Sequence, residues 1–262
     1  MPFTLSVAIW NTGWRSPGSS PGKRIREILQ QGGFDLICLT EGSEGLLPPQ
    51  GYIVTSGADY GYGVQVKRRK VLIWSRCPWR ELDQVGHADL PSGRFVSALT
   101  ETPMGPLRFV GVCVPWKDAH VRTGRRDRKP WEDHLTYLKA LGTLLPGYAA
   151  SGSLVVAGDF NQTIPRLRVP SAAHDSLRRA LDGLEIATAN HSLPNGRLSI
   201  DHLAHTPELS AAAIASWSNL SDDGSWLSDH CGLSVRLSLR DARGPGTEWG
   251  GRWACGFRNF NH

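Results

Sequence analysis

The stretch VVAGDFNQT, Val155 to Thr163, ends an apolar run in a carboxylate and a carboxamide two residues apart, Asp159 and Asn161. The arrangement recurs along the chain. Asn11 follows VAIW, Glu41 follows LICLT, Asp201 sits in LSIDHL, and Asp229 and His230 precede CGLSVRL. Taken alone, a strand-end Asp or Asn caps its own turn by bonding nearby backbone. By that reasoning Asp201 is a cap and His230 a core histidine. Several such ends in one chain can instead converge on one edge of a sheet. Crowded carboxylates repel one another and bring a cation with them. Hard oxygen donors of this kind suit Mg²⁺ or Mn²⁺, which share their ligands with phosphate oxygens. An Asp beside a His fixes the ring tautomer and favours the charged form, a donor to an anionic oxygen. A neutral His230 would serve as a base, and the residues leave both roles open. The chemistry that fits the set is attack of water on a phosphate ester, with a divalent ion offsetting the charge.

The elements that must deliver these residues can be read from patterning. TLSVAIW alternates as a strand and runs into Asn11. KRIREILQQGG puts Ile25, Ile28 and Leu29 at helical spacing ahead of Gly32 and Gly33. FDLICLTE is a β-rich run ending in Glu41. GVQVKRRKVLIWS reads as two strands or a hairpin, and RFVSALTETPMGPLRFVGVCVPW as two strands around a TPMGP turn. Trp131 to Leu145 is the clearest amphipathic helix, and AAHDSLRRALDGL is another. SLVVAGDFN, LSIDHLAHT and LSDHCGLSVRLSL supply further strands. The mixture implies sheets packed face to face with helices outside, and its consecutive strands argue against a doubly wound parallel sheet. Residues 1–240 are expected to form one domain. Residues 241–262, rich in Gly, Arg and Trp, break the pattern and read as a tail of unknown order.

Composition narrows the setting. A chain of 262 residues is long enough for a sizeable core. No apolar run reaches the ~20 residues of a membrane span, and the N-terminus has no charged lead-in of a secretory signal. Five scattered cysteines without a CxxC point away from a disulfide framework or zinc site and toward a reducing cytoplasm. The net charge of +5 is a mild bias toward polyanions. It concentrates in KRRK, Lys67 to Lys70, and RTGRRDRK, Arg122 to Lys129. Each is either a solvated loop or a phosphate-binding one. Trp14, Trp116 and Trp226 flank the motifs and are either packing residues or platforms for a base.

The set WNTGW, LTEG, GDFN, IDHL and SDHCGL, in this order, resembles the endonuclease/exonuclease/phosphatase superfamily, which shares the DNase I-like fold. GDFN and SDHCGL carry most of the likeness, which runs from Leu5 to Leu239. The resemblance implies an α/β fold, a four-layer α/β/β/α sandwich of two mostly antiparallel sheets with helices outside. It also implies a divalent-metal-dependent phosphodiester hydrolase using Mg²⁺ or Mn²⁺. On it Glu41 is the principal metal carboxylate with Asn11 beside it, and Asp229 is a further carboxylate on the metal or nucleophile side. Asp159 orients or deprotonates the attacking water. Asn161 holds a phosphate oxygen, and His230 stands near the scissile phosphate with Asp201 as its buried partner.

The likeness also has departures. Where the family often places a phosphate-contacting His or Tyr, VGVCVPWKDAH has Cys113. A thiol is a poor substitute. The expectation is a core cysteine, with the phosphate contact moved to Lys117, His120, Arg122 or Arg125 in the next loop, although a solvated face is the default for each. Glu41 lies in TEGSEG, not the QET of abasic-site endonucleases, so the resemblance is to the superfamily and not to one member. The expected activity is a nuclease on DNA or RNA. The alternatives are a phosphatase or phosphodiesterase on a small or lipid substrate, and a catalytically weak binding module.

Overall fold

The computed structural model describes residues 3–240, so the expected tail at 241–262 lies outside the described residues. In chain order the elements are β1 (Thr4–Asn11), α1 (Ser20–Gln31), β2 (Leu36–Gly42), β3 (Tyr52–Thr55), β4 (Arg69–Ser75), β5 (Trp79–Asp83), β6 (Phe95–Thr102), β7 (Gly105–Cys113), α2 (Glu132–Ala150), β8 (Ser153–Asp159), α3 (Ser171–Ala180), β9 (Glu185–Ile186), β10 (Asp201–His205), β11 (Leu209–Trp217) and β12 (Gly232–Leu239). They form two six-stranded sheets, ordered β11-β12-β1-β2-β4-β3 and β5-β6-β7-β8-β10-β9.

Each sheet has one parallel pair, β1 with β2 and β7 with β8, and the other pairings are antiparallel. A parallel pair needs a long crossover, and α1 and α2 supply the two. The period-two alternation of each central strand then serves two cores. Val7 and Ile9 face the interior between the sheets, with Cys38, Ile73, Phe109, Val155, Leu203 and Val235. Ala8 and Trp10 face outward, under Ile25 and Leu29 of α1. On the opposite side Tyr137, Leu138 and Leu141 of α2 and Leu177 of α3 cover Val110, Val112, Leu154 and Val156. The result is the four-layer α/β/β/α sandwich.

Some local expectations are corrected. GVQVKRRKVLIWS supplies a single strand, β4, because Val64 and Val66 lie exposed in a turn region with no partner strand to bury them. α2 continues past Leu145 to Ala150, through Pro146. β3, β5, β9 and β11 were not anticipated. β11 is Ala-rich, half-buried and bulged between Ala211 and Ala213, so it has no clean alternation to read. Cys38, Cys113 and Cys231 are buried free thiols. Among the described residues no helix is long and apolar enough to cross a membrane.

Candidate active site

Strand direction explains why distant motifs meet. β1 and β2 are parallel, so Asn11 and Glu41 leave the sheet at the same edge. β12 is antiparallel to β1, so the chain enters it at that edge, immediately after Asp229 and His230. In the other sheet Asp159 ends β8 and pairs directly with Asp201, which begins antiparallel β10. The sheets stack with β1 against β8 and β10, and Asn11 spans the gap: its Nδ2 donates to Asp159 Oδ2 at 3.0 Å.

Gly158 lets this strand end as it does. Its φ is +141°, and a Cβ there would lie 1.9 Å from the Val112 carbonyl oxygen. Past it, Asp159 is gripped by Asn161, whose backbone N–H donates to Oδ1 at 2.9 Å and whose Nδ2 donates to Oδ2 at 3.1 Å. The same amide donates to the Val114 carbonyl at 2.9 Å. Burial pushes the Asp159 carboxyl up to about 7; Asp201 and Glu41 add to the rise, and His230 opposes it. Beside it, His230 Nδ1 lies 2.6 Å from Asp201 Oδ2. Burial alone would favour the neutral ring, but the charge and hydrogen bond of Asp201 override it and raise His230 to about 10. His230 is therefore a cation at neutral pH.

Gln162 was missed by sequence reasoning. Its Nε2 donates to His134 Nε2 at 2.6 Å and to the Ala173 carbonyl at 3.0 Å, and the Gln162 backbone carbonyl accepts from His202 Nε2 at 2.9 Å. His134 Nδ1 donates to the Pro115 carbonyl at 2.6 Å. Burial pushes both rings down to about 4, so both are neutral braces behind the turn that presents Asn161.

Glu41, at φ +51°, points its Oε1 at Lys70 Nζ, 2.5 Å away. Lys70 was visible in the sequence only as one charge of KRRK. Asp229 packs on the loop after β1: a Cβ on Gly13 would lie 2.9 Å from its Oδ1, and Gly13 N–H donates to Asn11 Oδ1 at 3.0 Å. Four carboxylates, Glu41, Asp159, Asp201 and Asp229, thus share one edge with two cations, Lys70 and His230. Asp201 Oδ1 is buried without a hydrogen-bond partner. The donor atoms of Asp159, Asp201 and His230 lie within 4.8 Å of one another. This excess of hard oxygen donors fits a divalent cation.

The loop after β7 is different. His120 is not brought to the site. It is 1% exposed, its Nδ1 is 2.5 Å from Asp133 Oδ2, and Tyr62 packs on its ring at 4.7 Å. It anchors the loop and is withdrawn as a phosphate contact. Lys117 is exposed and paired with Asp118, Arg125 lies near Asp127 and Asp133, and Arg122 is exposed. Cys113 stands beside Asp159 in register, buried in the inter-sheet core, where burial pushes its thiol up to about 12. Trp14 stacks on Tyr60, while Trp116 and Trp226 are exposed.

Two open clefts carry basic side chains, and one of them is lined by residues of this edge. One, of about 1000 Å³, is lined by Asn161, Asp201, Asp229 and His230 with Arg168 and Arg197. The other, of about 910 Å³, runs past Trp14 and Gly42, neighbours of Glu41, and is lined by Arg15, Lys67, Arg68 and Arg69.

A sequence model of the endonuclease/exonuclease/phosphatase family matches residues 8–230, which include WNTGW, LTEG, GDFN, IDHL and the Ser228–His230 start of SDHCGL. The chain belongs to this family. Its members are phosphoesterase hydrolases and generally depend on a divalent metal. Solved structures show the same DNase I-like fold. A 3′ phosphatase from Neisseria, bound to a product DNA hairpin, is 17% identical with a TM-score of 0.65, covering 88% of this chain and 98% of its own. A family protein from Beutenbergia cavernae is 17% identical at TM-score 0.63, covering 90% of this chain and 72% of its own. TDP2 from D. rerio, complexed with a single-strand DNA product, is 13% identical at TM-score 0.61, covering 90% and 99%. No curated protein matches the sequence.

Proposed function

We propose that this family member is a Mg²⁺- or Mn²⁺-dependent nuclease that hydrolyses phosphodiesters of DNA or RNA. The observation that carries this reading is the pair of clefts. The carboxylate edge lines one of them beside Arg168 and Arg197, and the other, at Gly42 next to Glu41 in the chain, carries Arg15, Lys67, Arg68 and Arg69; basic surface in both suits a chain of phosphates longer than the bond being cut. A single small phosphate ester would need neither flank. The DNA products held by the similar Neisseria and D. rerio proteins support the same substrate class.

Glu41, Asn11 and Asp229 are the residues to hold the ion, which when bound neutralises phosphate charge and stabilises the charge that develops at phosphorus. Asp159, with its carboxyl raised to about 7, is poised near neutrality to orient the attacking water and take its proton. The water oxygen forms the new bond to phosphorus as the opposite ester bond breaks. Asn161, already anchored to Asp159 and Val114, positions nucleophile and phosphate. His230, kept charged and oriented by Asp201, donates to a phosphate oxygen.

The test is hydrolysis of plasmid, single-stranded DNA, RNA, an inositol phosphate and sphingomyelin, with Mg²⁺ and with EDTA, beside Asp159→Asn to expose contaminants. Metal-dependent cutting of nucleic acid that the variant lacks is the expected result. Phosphate release from the small substrates alone moves the protein to the phosphatase branch, and silence everywhere favours a binding module.

A further inference from the structure

We propose that Lys70 is a built-in counter-cation that competes with the divalent ion for Glu41 and thereby sets the affinity of the metal site. The proposal rests on the reading of Glu41 as a metal ligand. Antiparallel pairing of β2 with β4, Thr40 opposite Val71 and Gly42 opposite Arg69, puts Lys70 beside Glu41 on the same face. The ammonium is 2.5 Å from Glu41 Oε1, and Lys70 is only 8% exposed. Two aromatic faces hold it in place: Nζ lies 5.0 Å from the Trp14 ring centroid and 5.5 Å from that of Tyr60. The two rings are themselves stacked, 5.5 Å apart and 20° from parallel. A cation over stacked aromatic faces gains both electrostatic and packing stabilisation.

Glu41 is thus already paired with a full positive charge through Oε1. An ion arriving at Glu41 meets an ammonium at the oxygen it needs. It must displace Lys70 from the carboxylate and the aromatic pair, or bind the remaining oxygen against the repulsion of a nearby positive charge. Either route weakens metal binding relative to a free carboxylate. Loss of the Lys70 charge should therefore strengthen metal binding, the reverse of what removing a structural salt bridge would do.

The experiment is Mn²⁺ binding to the full chain without substrate, read by electron paramagnetic resonance of free Mn²⁺. Lys70→Met keeps an apolar stem over the rings and is expected to tighten binding by about tenfold or more, while Lys70→Arg does not. The gain should vanish when Glu41→Gln is added. Equal or weaker Mn²⁺ affinity in folded Lys70→Met overturns the proposal, with the metal reading intact if Glu41→Gln alone abolishes binding. Absence of Mn²⁺ binding to wild type and Lys70→Met alike overturns both. Should Lys70→Met not fold, the wild-type protein gives the answer through acylation of Lys70 followed by mass spectrometry. Mn²⁺ is expected to speed labelling severalfold by freeing the ammonium, and unchanged or slower labelling overturns the proposal.

Discussion

Asp201→Asn is the perturbation that tests the site most sharply. The carboxylate does two things to His230: it orients the ring through the 2.6 Å bond to Nδ1, and it keeps the ring charged. The rise from 6.5 to about 10 corresponds to about 5 kcal/mol of preference for the charged form. An Asn removes that charge; burial then lowers the ring while Asp159 and Asp229 still raise it, so the ring falls from about 10 back toward its ordinary 6.5. With the ring at 6.5 about 3% is charged at about pH 8, so a rate carried by the imidazolium falls by up to ~30-fold from protonation alone. Loss of orientation takes the total to about 10²–10⁴-fold. The loss has a signature. Lowering the pH to about 6 recharges the ring and should recover at least ~10-fold. Asp159 offsets part of this recovery, less than it would in the wild type, because Asp201 is one cause of its raised value while burial, the largest, remains. The assay is single-turnover cleavage of a labelled oligonucleotide across pH at fixed metal, with ring titration by NMR in the metal-free protein. Stability carries the same sign. A folded value above the unfolded 6.5 stabilises the protein fully below that pH, and the contribution is lost as pH rises through about 10. Wild-type-like rates in Asp201→Asn at about pH 8, or a loss that does not vary with pH, would refute the reasoning.

Other substitutions probe the remaining parts. Glu41→Ala should cut turnover at moderate Mg²⁺ by more than about 10²-fold, read from a Mg²⁺ titration of the rate. The wild-type rate should climb as Asp159 ionises through about 7, and Asp159→Asn should lose that limb of the pH profile along with about 10²-fold or more in rate. Cys113→Ser should keep turnover within about threefold while lowering the melting temperature, because it places a hydroxyl in an apolar core at a cost of about 1–3 kcal/mol. His134 and His202 refuse protons until about 4 that the unfolded chain accepts from 6.5 downward. Each ring therefore costs stability as pH falls through that window, up to about 3 kcal/mol, and His202→Gln should flatten the acid limb of denaturant-derived stability.

What the sequence made legible was whatever is written locally. The strand-end residues and the crossover helices are periodic patterns followed by a polar residue, and the structure places Asn11, Asp159, Asp201 and His230 in direct contact or adjacent register. What stayed hidden depends on register or on elements far apart. Lys70 looks like one more solvated charge until β4 is paired with β2, when it faces Glu41. Gln162 has no local signal, since its braces come from α2 and β10. His120 misled for the converse reason. A basic loop suggests exposure, but Asp133 at the start of α2 and the ring of Tyr62 draw it inside.

The charge pattern of the edge ties these observations together. Carboxylates at the ends of buried strands cannot all stay ionised without compensation, because burial and mutual repulsion both favour the neutral acid. Each half of the edge answers this differently. Asp201 takes a histidine that it keeps charged, and Glu41 takes a lysine held against two aromatic rings. Asp159, between them, receives amide donors and only the nearby charge of His230, and burial together with the charges of Asp201 and Glu41 outweighs these and raises its proton affinity. That is the state a base needs near neutral pH, and it follows from burial among neighbouring carboxylates. A substitution that handed Asp159 a cation, such as Asn11→Lys, would lower its proton affinity and cost it the ability to take a proton from water, even though every acidic residue remained in place.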